Sequence, residues 1–342
     1  MVPRDALPSP VTRPPARLTG AVTRRPATAV RRLKGPKLLA EASRRQETVV
    51  IELAAVFAVA GAASNAVGTA FQRKAASASS HGGLRLLAEL VRRPFWVIGM
   101  CGVVCAALFQ SLALVNGPLA LVQPLFILEL PFALLVAAPL MHKRLPRSGW
   151  WGVGGCVAGL AVLLIAAAPH GATDHAPLTR WLPALCLGLG AMAAAVLLAR
   201  RSHSPARRAA LLAAASATGN ALTAALLKSA SGTFADHGFT AFLRSWQTYG
   251  FALTGAVAVI LLENALQAGP LAAAQPALTI GDAVVSLTLG MTLFDERVRT
   301  GWWLLPEACG ALLIVVGVVV LSQAVQHITV APVTAGQRHP AT

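Results

Sequence analysis

Charge is what this sequence has least of. Only 12% of its 342 residues are Asp, Glu, Lys or Arg, against roughly 25% in soluble domains. Acidic residues are scarcer still, 13 against 29 basic ones. Five cysteines (Cys101, Cys105, Cys156, Cys186, Cys309) form no CxxC pair and keep company with no histidine cluster, so a thiolate zinc site is not indicated. They all fall in apolar surroundings, where cysteine packs as a small hydrophobe. There is no HExxH, GxSxG or paired DxxD sequence, which removes the signatures of intramembrane hydrolases and diphosphate-dependent lipid enzymes. The chain is therefore read as a non-enzyme, with no cofactor. The single tyrosine and 6% aromatic content also speak against a stacking pocket for large aromatic ligands.

What is present is apolar and arranged in blocks. Nine runs cover approximately residues 49–71, 95–115, 118–140, 149–168, 181–199, 209–227, 246–267, 270–292 and 302–322. Mean hydropathy is +0.64. Each run is near the ~20 residues that an α-helix needs to cross ~30 Å of hydrocarbon. They are too long and uninterrupted for barrel strands. The tryptophans lie at or near the starts of the runs, as an interfacial belt requires. The fold class is all-α and polytopic. The net charge of +16 resides in tails and connections, so it signals orientation and lipid headgroups, not nucleic acid.

Eight residues occur nearly twice. GPLALVQP runs from Gly117 to Pro124, and GPLAAAQP from Gly269 to Pro276, 152 residues later. In the same register Ala113-Leu114 recurs as Ala265-Leu266, Arg147 as Arg299, and Gly149-Trp150-Trp151 as Gly301-Trp302-Trp303. Runs two to four thus match seven to nine, and run one matches run six three residues out of step, Asn65-Ala66 against Asn220-Ala221 and Arg73 against Lys228. The second unit begins five helices after the first, and an odd offset makes the repeats inverted. The expected organisation is a basic disordered tail over 1–48, a first repeat over 49–168, a loop and fifth helix over 169–206, a second repeat over 207–322, and a disordered tail over 323–342. Part of the first tail is a candidate over-extended translation start. Connections after odd-numbered helices, with the C-terminal tail, carry thirteen Lys/Arg against five in the others. That count puts the N-terminus outside, although eleven basic residues in the first tail argue the reverse.

Each Gly-Pro pair predicts a tight hairpin between helices. Pro124 and Pro276 lie a turn and a half further on and should kink their helices, freeing the carbonyls of Ala120 and Ala272. Gln123 and Gln275 stand beside those kinks. Freed carbonyls and amides are tolerated where they meet protein or a water-filled cavity, and a hydrogen bond to a neighbouring helix would serve equally well. Glu129 and Asp282 come twelve and thirteen residues after Gly117 and Gly269, about 18–20 Å along their helices and near mid-membrane. Glu263 and Gln275 are both six residues from Gly269 and should face each other at one depth; Asn264 adds polarity. No Lys or Arg falls deep in a run to pair with these acids. Each carboxylate must therefore hold a proton, a hydrogen bond or a cation. The candidate substrate or ion site comprises Glu129, Glu263, Asp282, Gln123, Gln275, Asn264, Asn65 and Asn220; which metal, if any, is undetermined. Ser111 and Leu130 occupy the places of Glu263 and Asp282 in the first copy, so the second copy is expected to matter more.

With FQRKA at Phe71–Ala75, QSLALVNGPLALVQPL at Gln110–Leu125, HKRL at His142–Leu145 and LFDERV at Leu293–Val298, the chain resembles the drug/metabolite transporter (EamA-like) superfamily. Nine helices instead of ten bring it nearest the NIPA-like branch, described as magnesium transporters. The resemblance covers residues 50 to 322. It implies a secondary transporter moving a small solute or cation by alternating access, with magnesium as one alternative. A non-transporting scaffold or sensor is the alternative of another class. A bacterial inner membrane, lipid and substrate as partners, and a homodimer complete the expectation.

Overall fold

The computed structural model describes residues 35–77, 94–140, 145–171, 173 and 175–329. The chain divides into two compact units, Met1–Gln46 and Glu47–Thr342, and the account below concerns the second. Among the described residues the structure is helical, and nine helices are long and apolar enough to cross a membrane. The helical elements in order are α1 (Gly35–Ser77), α2 (Pro94–Asn116), α3 (Leu119–Phe126), α4 (Glu129–Leu140), α5 (Arg147–Ala167), α6 (Leu178–Arg201), α7 (Pro205–Arg244), α8 (Trp246–Ala268), α9 (Leu271–Leu293) and, after a 3-10 turn, α10 (Leu304–Thr329). α3 and α4 together make the third crossing. The chain is a polytopic all-α membrane protein.

Three boundaries differ from expectation. α1 begins at Gly35, so the last part of the anticipated disordered tail is helical. α10 continues to Thr329, past the expected end of the ninth run. α7 is 40 residues long, bending at Gly238 with φ 77°, whereas its apolar run ends at 227. Polar residues after 227 ended the run by composition, but the helix continues past them to the kink at Gly238 and resumes beyond it.

The repeat is visible in contacts as well as in sequence. A Cβ on Gly117 would meet Ala54 at 2.5 Å, and one on Gly269 would meet the matching Ala209 at 3.2 Å. Gly61 lies against the Ala106 carbonyl; its counterpart Ser216 donates to the Ala258 carbonyl at 2.8 Å. Gly68 packs on Gly102, and in the second copy Thr223 donates to Thr254 at 2.9 Å. In all three pairs the α1 residue shifts by 155 residues to its α7 counterpart and its partner by 152, so the three-residue slip of the first helix is real. Small residues in one copy stand where hydroxyls hydrogen-bond in the other, so the copies hold the same helix spacing by different means.

The two fourth helices, α5 and α10, pack directly on one another. Gly152 meets the Gly317 carbonyl and Gly159 meets the Gly310 carbonyl. Numbers rise along α5 as they fall along α10, so these helices run antiparallel, as inverted copies must. Glycine is required at this seam because backbone approaches backbone: a Cβ on Gly310 would come within 2.6 Å of the Leu163 nitrogen.

Candidate functional site

The first hairpin holds the most concentrated chemistry. Residues Gly117 to Leu125 are all buried. Lys228 of α7 reaches the end of α2 and donates from Nζ to the carbonyls of Leu114 at 3.1 Å and Gly117 at 2.6 Å. Those oxygens are left without helical partners where α2 stops, and the negative end of the helix dipole favours a cation there. Glu296, in the α9–α10 connection, does the opposite job. Its Oε1 accepts from the Leu119 N–H at 2.5 Å and Oε2 from the Ala120 N–H at 2.9 Å. One carboxylate thus caps the first turn of α3 from 176 residues away. The two caps meet, with Nζ 3.7 Å from Oε1 and both side chains fully buried.

Local backbone explains how Glu296 gets there. Asp295 takes a positive φ of 52° and turns the chain back, and the Glu296 N–H returns to the Gly290 carbonyl at 3.1 Å. Gly290 must stay small, because a Cβ would run into the Glu296 carboxylate. Phe294 lies 5.4 Å from Nζ as a cation–π partner, and Trp181 stacks edge-on against both Phe294 and Trp246. Phe294 thus covers the ammonium, and Trp181 backs Phe294. Burial pushes the Glu296 carboxyl above its ordinary range; the Lys228 ammonium and the N–H groups of Ala120 and Leu119 pull it down, and burial prevails.

The same face carries further ties. His170 and Arg297 exchange backbone hydrogen bonds at 3.0 and 2.9 Å, and the Thr173 N–H reaches the Phe294 carbonyl at 3.0 Å. Arg180 Nη1 donates to Asp295 at 2.6 Å. The α2–α3, α5–α6, α7–α8 and α9–α10 connections therefore meet at one end of the bundle. Lys228 lies just past the apolar run that begins at residue 209, about 28 Å along the helix axis from that start, and so near the far edge of ~30 Å of hydrocarbon. The pair belongs to a membrane face, not to the bilayer centre.

The expected site residues are dispersed. The kink at Pro124 becomes a two-residue interruption of the helix: α3 ends at Phe126, two turn residues follow, and Glu129 opens α4. There the Ile127 N–H bonds to the Pro124 carbonyl at 3.1 Å and the Leu128 N–H to the Leu125 carbonyl at 3.1 Å, tightened bonds that stand in for the helical ladder. Pro276 removes one backbone hydrogen bond without ending its helix, and α9 is continuous from Leu271 to Leu293. Gln123 is buried at 4% exposure, and Gln275 is half-buried. Glu263 and Asn264 are exposed, and Asn264 spends its amide on the Ile260 carbonyl at 2.7 Å. The expected meeting of Glu263 with Gln275 does not occur, because α8 packs chiefly on α7 and barely on α9 beyond their hairpin. Asn65 and Asn220 are half-buried on α1 and α7. Asp282 points Oδ1 inward, and among the described residues this oxygen has no partner; nor does the Ser286 hydroxyl one turn later.

Reading the sequence alone missed Lys228 and Glu296, which lie outside the apolar runs and so leave untouched the expectation that no Lys or Arg falls deep in a run to pair with Glu129, Glu263 or Asp282. Two signals were present: Lys228 aligned with Arg73 in the repeat, and Glu296 lies in LFDERV. The side chain of Arg73, and Arg144 (the counterpart of Glu296), lie outside the described residues, as do His142 to Arg144 of the HKRL turn.

No protein-family model matches the chain, and no solved structure does. It is similar to an uncharacterized protein of Corynebacterium glutamicum, 28% identical over 275 residues that span 79% of this chain and 95% of that protein.

Proposed function

We propose that this membrane protein is a secondary transporter of the drug/metabolite transporter kind, moving a small solute or cation by alternating access between its two inverted repeats. The observation that carries the reading is the broken third crossing, set within a duplicated scaffold. Interrupted helices are costly in lipid and persist where backbone and side-chain polar groups line a path or binding site. The interruption sits about 15–17 Å from the Gly117 hairpin, and Glu129 stands at the start of the second half-helix. Asp282, at similar depth from the other hairpin, offers a buried oxygen with no partner among the described residues. A carboxylate at that depth needs a proton, a cation or a donor.

By the basic-residue count of the connections, the face bearing Lys228 and Glu296 is external. Exposed Trp151 and Trp302, and Arg299 stacked on Trp303 at 4.9 Å, support lipid headgroup contacts at the bundle's two ends. Alanine- and arginine-rich composition supports a bacterial inner membrane.

The test is flux into proteoliposomes, screened over magnesium and small metabolites. Magnesium is included because it accepts a few carboxylates while keeping most of its water. Glu129→Gln and Asp282→Asn should each lower the rate at least tenfold in protein that remains monodisperse. Undiminished flux would remove these residues from the path, and an absence of flux for every solute would favour the scaffold or sensor reading.

A further inference from the structure

We infer that Lys228 and Glu296 form the gate of their membrane face, a pin that closes the first hairpin and must separate when that face opens. The inference rests on the transport reading above. Four hydrogen bonds and one ion pair join three stretches that are far apart in sequence: the α2–α3 hairpin, the middle of α7 and the α9–α10 connection. Two belong to the second repeat and one to the first, so the pin crosses the boundary along which inverted repeats move.

The chemistry suits a two-state closure. A buried ion pair gains little net free energy over the same groups in water, because desolvation offsets attraction. Once the hairpin lifts, the ammonium, the carboxylate and the backbone caps all become hydrated. The closed and open states can then lie close in free energy, which alternation requires. An apolar plug of the same size would lose its burial on opening with nothing to offset it. Gly290 belongs to the device, since only a residue without Cβ leaves room for the carboxylate. The second hairpin shows no such closure among the described residues: Gly269 and Leu271 are half-buried and Pro270 is exposed.

The experiment measures opening of this face directly. Spin labels at Asn116, on the hairpin, and Thr300, on the α9–α10 connection, report their separation in nanodiscs. In the unaltered protein the short distance should dominate. Lys228→Met, Glu296→Gln and Gly290→Ala should each shift most of the distribution to a longer distance, with the population ratio changing at least tenfold. Distributions that superimpose on the unaltered one, in variants that unfold cooperatively, would overturn the gate. If Lys228→Met and Glu296→Gln do not fold, Gly290→Ala decides alone, because it leaves both charges in place. Parallel flux separates the two claims. Transport with immobile distances sinks the gate and spares the transporter; opening without transport of any solute does the reverse.

Discussion

GPLALVQP and GPLAAAQP have nearly the same sequence and different physical lives. The first is buried throughout, capped on both sides by Lys228 and Glu296, and followed by a broken helix. The second leaves Pro270 exposed, rests on the backbone of Pro205, and leads into an unbroken helix. The shared residues set the hairpin geometry. The differences come from partners elsewhere in the chain, so a proline that breaks one helix only marks the other. What the comparison teaches is that duplication fixed the scaffold, while the charged closure grew on one copy.

The sharpest way to break that comparison is to remove one charge. Lys228→Met leaves a buried carboxylate facing two N–H groups with no counter-charge, and the cost should be about 3–5 kcal/mol. Thermal unfolding in detergent reads it as a large fall in midpoint. Lys228→Met combined with Glu296→Gln should recover part of the loss, because the unpaired charge is gone while Gln still offers one acceptor to the start of α3. A double variant no better than the single one would mean that the caps, not the pair, hold the hairpin.

The hairpin glycines give a subtler contrast. Gly117→Ala and Gly269→Ala should each destabilise by about 1–3 kcal/mol through overcrowding. The obstacles differ, however. A Cβ on Gly117 strikes the Ala54 side chain at 2.5 Å, whereas one on Gly269 strikes the backbone carbonyl of Pro205. Ala54→Gly should therefore rescue Gly117→Ala, and Ala209→Gly should fail to rescue Gly269→Ala. Equal rescue at both sites would show that the second hairpin has more room to move than its contacts allow.

These contrasts also mark how far the sequence could be read. Apolar length placed nine crossings, and the repeated spacing located both hairpins and the three-residue slip, because those features are written locally. The polar centre was not local. Lys228 falls one residue past the sixth apolar run, so composition assigned it to a connection, while the helix runs on to Arg244. Glu296 acts on Leu119 and Ala120 across 177 and 176 residues, and no periodicity records such a contact. Glu263 went the other way. A position along a helix does not say which neighbour its face meets, and α8 turns toward α7.

The smallest expected effect tests whether charge alone distinguishes the pinned face. Arg180 and Asp295 are 2.6 Å apart, close to the buried pair in sequence and space, yet their side chains are 41% and 57% exposed. Water screens such a pair, and its contribution should not exceed ~1 kcal/mol. Asp295 nonetheless holds the positive-φ turn that delivers Glu296. Removing the guanidinium with Arg180→Ala should change unfolding by less than ~1 kcal/mol, and less still in high salt. Asp295→Gly should be equally mild, since glycine adopts that backbone freely, and Asp295→Val should be worse than either, because a β-branched residue resists it. That order would place the value of Asp295 in its backbone. Should Arg180→Ala prove the most damaging of the three, the exposed pair would be a working part of the closure, and the pin would extend to the membrane surface.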